Sequence, residues 1–144
     1  IEENIRNYIK CIEDIININC SIKLIELPCK ELLDNKIINK LFESNLKESG
    51  LIEMNYGKKM LYPLGIGTVS HTTPTIYPSI SIVNDPSIPC PSKEFMDLTL
   101  TEYAQYNIWK AIEALSLTAL DLIERKDLIY ESTTSLCENI SKNL

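Results

Sequence analysis

Apolar residues recur every three or four positions in several segments of the chain, which is the spacing of an amphipathic helix. The first such segment carries a stripe of four isoleucines: Ile5, Ile9, Ile12 and Ile16. The second follows Asp34 or Asn35, either of which can cap a helix, and stops at Gly50, which suits a left-handed helix end. Its stripe comprises Ile37, Ile38, Leu41, Phe42 and Leu46.

Two further helices are predicted in the C-terminal third of the chain. A long helix spans about residues 98–125, and a final one spans about residues 128–142 after a capping Asp127. The predicted core stripe of the long helix comprises Tyr103, Ile108, Ala111, Ile112, Leu115, Thr118, Ala119 and Leu122. Small residues on this helix, such as Ala114 and Ser116, would let a sheet approach it closely.

Three short segments have the pattern of strands. Residues 21–27 are rich in branched apolar side chains and end before Pro28, and residues 76–82 alternate apolar and polar positions. A third strand is predicted near residues 59–62, within a loop at 51–75 that is rich in Gly and Pro. Helices that alternate with strands predict an α/β layered domain, in which helices pack on a sheet.

Composition narrows the class of partner. The chain has 144 residues with 44% hydrophobic and 24% charged side chains, as one globular domain has. Its net charge of -6 gives no attraction to phosphate backbones, so nucleic acid is not an expected partner. No apolar run reaches the roughly 18 residues of a membrane span, and no signal-peptide profile is present, so we expect no membrane and a cytoplasmic location. The chain starts at Ile1 inside a helical repeat, which favours a piece of a longer protein.

Cysteine and histidine usage limits the possible chemistry. Five cysteines, without a C-x-x-C pair, make a poor disulfide framework and a poor zinc knuckle. His71 is the single histidine, so chemistries that use imidazole as a ligand or base have one candidate residue.

A resemblance to a known family enters at two segments, the loop LGIGTVSHTTPTIYPSI and the helix KAIEALSLTALDLI. The loop is similar to the string SSTDVGDVSHVVPTIHPYI, which it matches at Gly67, Val69, Ser70, His71, Pro74, Thr75, Ile76, Pro78 and Ile80. The helix is similar to AAKALALTALDLL, which it matches at Lys110, Ala111, Ala114, Leu115, Leu117, Thr118, Ala119, Leu120, Asp121 and Leu122. Both strings are typical of the C-terminal region of zinc-dependent metallo-amidohydrolases and metallopeptidases of the aminoacylase, glutamate-carboxypeptidase and aminobenzoyl-glutamate-hydrolase family.

The resemblance implies a domain organisation. Residues 1–28 resemble a helix–strand remnant of the lid (dimerisation) domain, and residues 29–144 resemble the C-terminal part of the catalytic domain. The similarity is specific over residues 65–123 and weaker before residue 51.

The resemblance also implies a two-metal hydrolase, usually with zinc, in which most metal ligands lie in an N-terminal half that this sequence does not include. The one ligand expected here is the histidine of a motif like PGHSREF, where this chain reads PCPSKEF and places Pro91. Proline has no side-chain donor atom, so this position cannot bind a metal. Gly65 and Thr68 replace acidic or amide residues of the family loop. Cys90 could replace the lost ligand as a thiolate, or it is a thiol in a proline-rich turn.

The resemblance places a substrate-binding loop at Gly67, Ser70, His71 and Thr72, with no catalytic or metal-binding residue expected in this chain. His71 has two interpretations. Its imidazole either faces the substrate beside the metal centre, or makes a hydrogen bond that holds the turn before Pro74.

We therefore expect the C-terminal portion of an enzyme that hydrolyses an amide bond of an N-acyl or amino-benzoyl amino acid or dipeptide, inactive as this chain alone. Its expected partners are a second copy, or a companion chain that supplies the missing half, and a small amino-acid-like ligand. One alternative is a degenerate homologue that binds a ligand or a protein without hydrolysis. Another is a structural module that pairs through residues 1–27.

Overall fold

The structure is a computed structural model that describes residues 2–26, 28–51 and 65–142. These residues form six helices: α1 (Glu2–Ile16), α2 (Lys36–Glu48), α3 (Gly65–Ser70), α4 (Lys93–Leu98), α5 (Glu102–Glu124) and α6 (Lys126–Lys142). The four predicted helices correspond to α1, α2, α5 and α6. The last begins two residues early, so Asp127 lies in its first turn and is not the cap.

The predicted α/β layered fold is wrong. The described residues contain no strand, and their one β-bridge is an isolated parallel contact between Asp34 and Thr75. Residues 21–26 and 76–82 are not strands, and the strand predicted at 59–62 lies outside the described residues. A two-residue period sorts side chains between two faces, but a strand also needs a neighbour for its backbone hydrogen bonds.

Residues 76–82 show this difference directly. Their even-numbered residues are half-buried and their odd-numbered residues are exposed, as the alternation predicts. Ile76 and Ile80 pack against the core of the molecule. The segment therefore lies extended on the helices and contributes to the core without belonging to a sheet.

Asn35 starts α2 in the way that a capping residue should. Its side-chain oxygen accepts hydrogen bonds from the backbone N–H groups of Ile37 and Ile38, both at 3.2 Å. Gly50 follows the helix with φ of +100°, a backbone conformation that glycine adopts without strain. Both predicted boundary residues of this helix are confirmed.

The core lies where α2, α5 and α6 pack together. Phe42 and Leu46 of α2 meet Ala114 of α5, which is fully buried. A polar contact adds to this interface, because the Asn45 side chain donates to Thr118 Oγ1 at 3.1 Å and to Asp121 Oδ2 at 2.8 Å. The buried apolar residues of the described chain are Ile38, Phe42, Leu46, Ala104, Ala114, Leu128 and Leu136.

The predicted core stripe of α5 is largely wrong. Its buried residues are Ala104, Asn107, Ala114 and Thr118, and of the predicted stripe only Thr118 is buried. Ile108, Ile112 and Leu115 are instead exposed. Small side chains face α2 because they allow close approach of the helix axes, whereas the larger apolar side chains that the prediction assigned to a sheet interface lie on other faces of α5.

Residues 2–26 form an N-terminal arm. It contains α1, which is followed by Asn17 with a left-handed φ of 53°. No residue of α1 is buried. Large apolar side chains of the arm are exposed throughout: Ile5, Tyr8, Ile12, Ile15, Ile16, Ile18, Ile22, Leu24 and Ile25.

Candidate functional site

The predicted substrate-binding residues lie on α3 and on the turn that follows it. Gly67 and Ser70 belong to the helix, and His71 and Thr72 belong to the turn. Residues 30–33 of the same chain cross this surface, and we call them the strap. The structure brings Gly67, Ser70 and His71 together around the strap.

Gly67 is the residue of α3 that lies closest to the strap. A Cβ atom at this position would lie 2.0 Å from the carbonyl oxygen of Lys30, which no side chain tolerates. Gly65, two residues earlier, has open space around it. The backbone of the strap therefore fits against α3 only because residue 67 has no side chain.

Ser70 and His71 bind the main chain of the strap. Ser70 Oγ, which is fully buried, accepts a hydrogen bond from the Leu33 N–H at 2.8 Å and donates to the Gly67 carbonyl at 2.6 Å. His71 Nε2 lies 3.0 Å from the carbonyl oxygen of Glu31. Since a carbonyl only accepts, this nitrogen carries the proton.

Thr68 is a contact residue that the sequence analysis did not include in the site. Its Oγ1 accepts from the Lys30 N–H at 3.2 Å. The sequence offered a signal, since Thr68 lies between two of the predicted site residues, Gly67 and Ser70. Thr72 differs from the other predicted residues, because it is exposed and its hydroxyl donates to the Val69 carbonyl of its own turn. The His71 imidazole bonds the Glu31 carbonyl of the strap and not the turn before Pro74, and its substrate-facing interpretation stays a prediction.

Asp34 is the carboxylate next to the strap. Partial burial raises its pKa above the ordinary value, although a hydrogen bond from Asn39 and the nearby Lys36 charge act in the opposite direction. Its backbone pairs with Thr75, so it holds the strap end against the segment that follows α3.

The residues present do not fit a zinc site by themselves. No group of three or more His, Cys, Asp or Glu side chains in the described part of the chain could hold a metal ion. Pro91 is exposed and follows a cis peptide bond with Cys90, whose thiol is free and exposed. We therefore assign no metal-dependent step to this chain.

A separate shallow cavity of about 350 Å³ lies between α2 and α6. It is lined by Ile37, Tyr130, Glu131, Thr134, Ser135 and Glu138. None of the predicted site residues lines it.

Comparison with known proteins does not assign the chain to a family. No protein-family model matches the chain, and neither a curated protein nor a solved structure is detectably similar to it. Among the described residues, no helix combines the length and apolar character needed to cross a bilayer.

Proposed function

We propose that this chain is the C-terminal portion of a metal-dependent amidohydrolase or peptidase. The reaction is hydrolysis of an amide bond of an N-acyl or amino-benzoyl amino acid or dipeptide. The loop and helix strings around His71 and Ala114 support the class of reaction. The chain is inactive alone, and another polypeptide or the rest of a longer one supplies the metal ligands.

The observation that carries this proposal is the exposure of the N-terminal arm. Nine large apolar side chains of the arm face solvent and none of the α1 residues is buried. Exposed apolar surface of this extent is typical of a surface that another protein segment covers. An isolated helix of 15 residues is also marginal in water, so α1 needs such a cover to be stable.

The groups around α3 are of the kind that bind an amide. Thr68 and Ser70 each supply an acceptor and His71 supplies a donor, and all three hold the main chain of the strap. In the complete enzyme the strap would have to leave α3 before these groups could orient the amide of a substrate, and the companion part would hold the metal and supply its hydrolytic chemistry.

The first experiment compares the hydrolytic activity of this chain with that of the native protein. The 144-residue chain and the native protein isolated from its source cells are both assayed with N-acetyl amino acids and amino-benzoyl glutamate in the presence of zinc. We expect turnover only by the native protein, with an intact mass of roughly three times 16.4 kDa or a companion chain in the complex. Turnover by the isolated chain, or none by the native protein, would contradict the proposal.

A degenerate homologue that binds a ligand without hydrolysis is the second candidate. Pro91 favours it, because this residue replaces the one metal ligand expected in the region and is exposed to solvent. The two candidates differ in the native protein, where the degenerate form binds an N-acyl amino acid without turnover. Pro91→His in that protein should then increase zinc affinity, while Lys93→His, at an exposed position two residues away, should not.

A further inference from the structure

The long helix α5 has a second apolar face that no described element covers. Ile108, Ile112, Leu115, Ala119 and Ile123 follow one another at spacings of four, three, four and four residues. At 100° per residue they fall within a stripe about 80° wide, whose centre lies about 140° around the helix from the buried Ala114 and about 100° from the buried Thr118. We call these five residues the α5 seam; it is about 22 Å long at 1.5 Å per residue.

The α5 seam is exposed and uncharged. Ile112 is 47% exposed, Leu115 48% and Ile123 71%. Charged residues of α5 all lie on other faces of the helix: Glu102, Lys110, Glu113, Asp121 and Glu124. Two of them, Lys110 and Glu113, pair with each other at 2.9 Å on the side of the helix away from the stripe. An apolar stripe at spacings of three and four residues, with the charges kept to the far side, is the pattern of a helix that packs on another helix.

We propose that the α5 seam binds the same seam of a second copy of this chain, with the two helices antiparallel. A two-fold axis between Ile112 and Leu115 places Ile108 of one copy opposite Ala119 of the other, and Ile112 opposite Leu115. Trp109, at the edge of the stripe, falls beside Ser116 of the second copy. Large side chains thus meet small ones at both ends, which is the self-complementarity that a two-fold interface requires.

The area available fits a dimer. With Trp109, which is 66% exposed, the stripe offers on the order of 600 Å² per copy, so the pair buries on the order of 1,200 Å², at the lower end of stable interfaces. The interface is separate from the N-terminal arm, which remains available to the companion part. The dimer therefore does not depend on the proposed enzymatic function.

The test is sedimentation equilibrium of the full chain from low to high micromolar concentration. We expect a species of twice 16.4 kDa to form with increasing concentration. Ile112→Glu places a charge at the centre of the seam and should weaken the dimer at least about tenfold. Ile129→Glu is the matched control, since Ile129 is 47% exposed like Ile112 but lies on α6, and it should leave the dimer constant unchanged.

The single tryptophan gives an independent measurement that does not require a folded variant. Burial of Trp109 on association should shift its fluorescence to shorter wavelength as the wild-type concentration rises. A chain that stays monomeric, a dimer that survives Ile112→Glu, or equal weakening by Ile129→Glu would overturn the proposal. So would a wild-type dimer that forms without a change in Trp109 fluorescence.

Discussion

Asn35 joins three distant parts of the molecule. Its side-chain oxygen caps α2, its side-chain N–H group donates to the Ser132 carbonyl at 2.9 Å, and its backbone N–H donates to the Thr75 carbonyl at 3.0 Å. The residue is 3% exposed. Sequence alone allowed Asp34 or Asn35 as the cap, and the structure explains the choice, because the Asn35 amide both accepts from the helix and donates to Ser132, whereas a carboxylate only accepts.

Asn35→Asp tests this double role. The carboxylate keeps the capping acceptor but loses the donor and buries a charge against the Ser132 carbonyl, so we expect a loss of about 2–4 kcal/mol in unfolding free energy. Asn35→Ser keeps a capping oxygen without the charge and should cost about 1 kcal/mol. Urea unfolding at neutral pH measures both, and equal stability of Asn35→Asp and wild type would contradict the role.

Asp34 should make stability depend on pH in the opposite sense from most carboxylates. Its pKa is raised in the folded chain by partial burial, so the folded state binds the proton more tightly than the unfolded state does. The stabilisation from Asp34 is complete below its pKa in the unfolded chain, near 3.8. It is lost as the pH rises through the higher pKa of the folded chain. Asp34→Asn keeps an acceptor for Asn39 and removes the charge, so it should raise the melting temperature at pH 7.

The difference in melting temperature between Asp34→Asn and wild type should disappear below about pH 3.8, where Asp34 is protonated in both the folded and the unfolded state. Thermal unfolding followed by circular dichroism across this range gives the profile. If Asp34→Asn instead has the same higher melting temperature at every pH, the charge of Asp34 is not the cause of the difference.

At the scale of elements, the strap and α3 fit each other through main-chain atoms. Lys30, Glu31 and Leu33 all contribute backbone groups to these contacts. Such contacts place few demands on the side chains of the strap. They place a strict demand on Gly67, where the Lys30 carbonyl occupies the volume of a Cβ atom.

Gly67→Ala should therefore displace the strap, and Gly65→Ala should not. Alanine favours a helix over glycine by about 1 kcal/mol at either position, but at residue 67 the clash with the Lys30 carbonyl exceeds this gain. Hydrogen exchange at the Lys30 and Leu33 amides measures strap opening. We expect faster exchange and lower stability in Gly67→Ala only, and equal behaviour of the two variants would contradict the contact.

At the scale of the whole molecule, protection from unfolding should be uneven. The N-terminal arm has no buried helical residue, while α2, α5 and α6 share one core. We expect amides of α1 to exchange with solvent orders of magnitude faster than those of α5, in hydrogen exchange on the monomeric Ile112→Glu variant. Deletion of residues 1–27 should leave the melting temperature of the core unchanged; a large drop would show that the arm supports the core.

The same contrast explains how far the sequence could predict the fold. Helix periods, the Asn35 cap and Gly50 depend on neighbours within a few residues, and these predictions are confirmed. The sheet and the buried face of α5 depend on what lies opposite, so Ile108 and Ile112 were assigned to a core that the described chain does not form. Ser70 and His71 were singled out as a site by their motif, but their contacts with the strap depend on residues almost 40 positions away.

The Asn35 hydrogen bond to Ser132 also has a consequence for synthesis on the ribosome. These residues are 97 positions apart, and Leu136, another core residue, is made later still. Translation proceeds at roughly 5–20 residues per second, so the first half of the chain waits for seconds with the apolar face of α2 uncovered. We therefore expect the core to close only when α6 has emerged, and a chain that stops before Ser132 to lack the contact that joins α2 to α6 through Asn35.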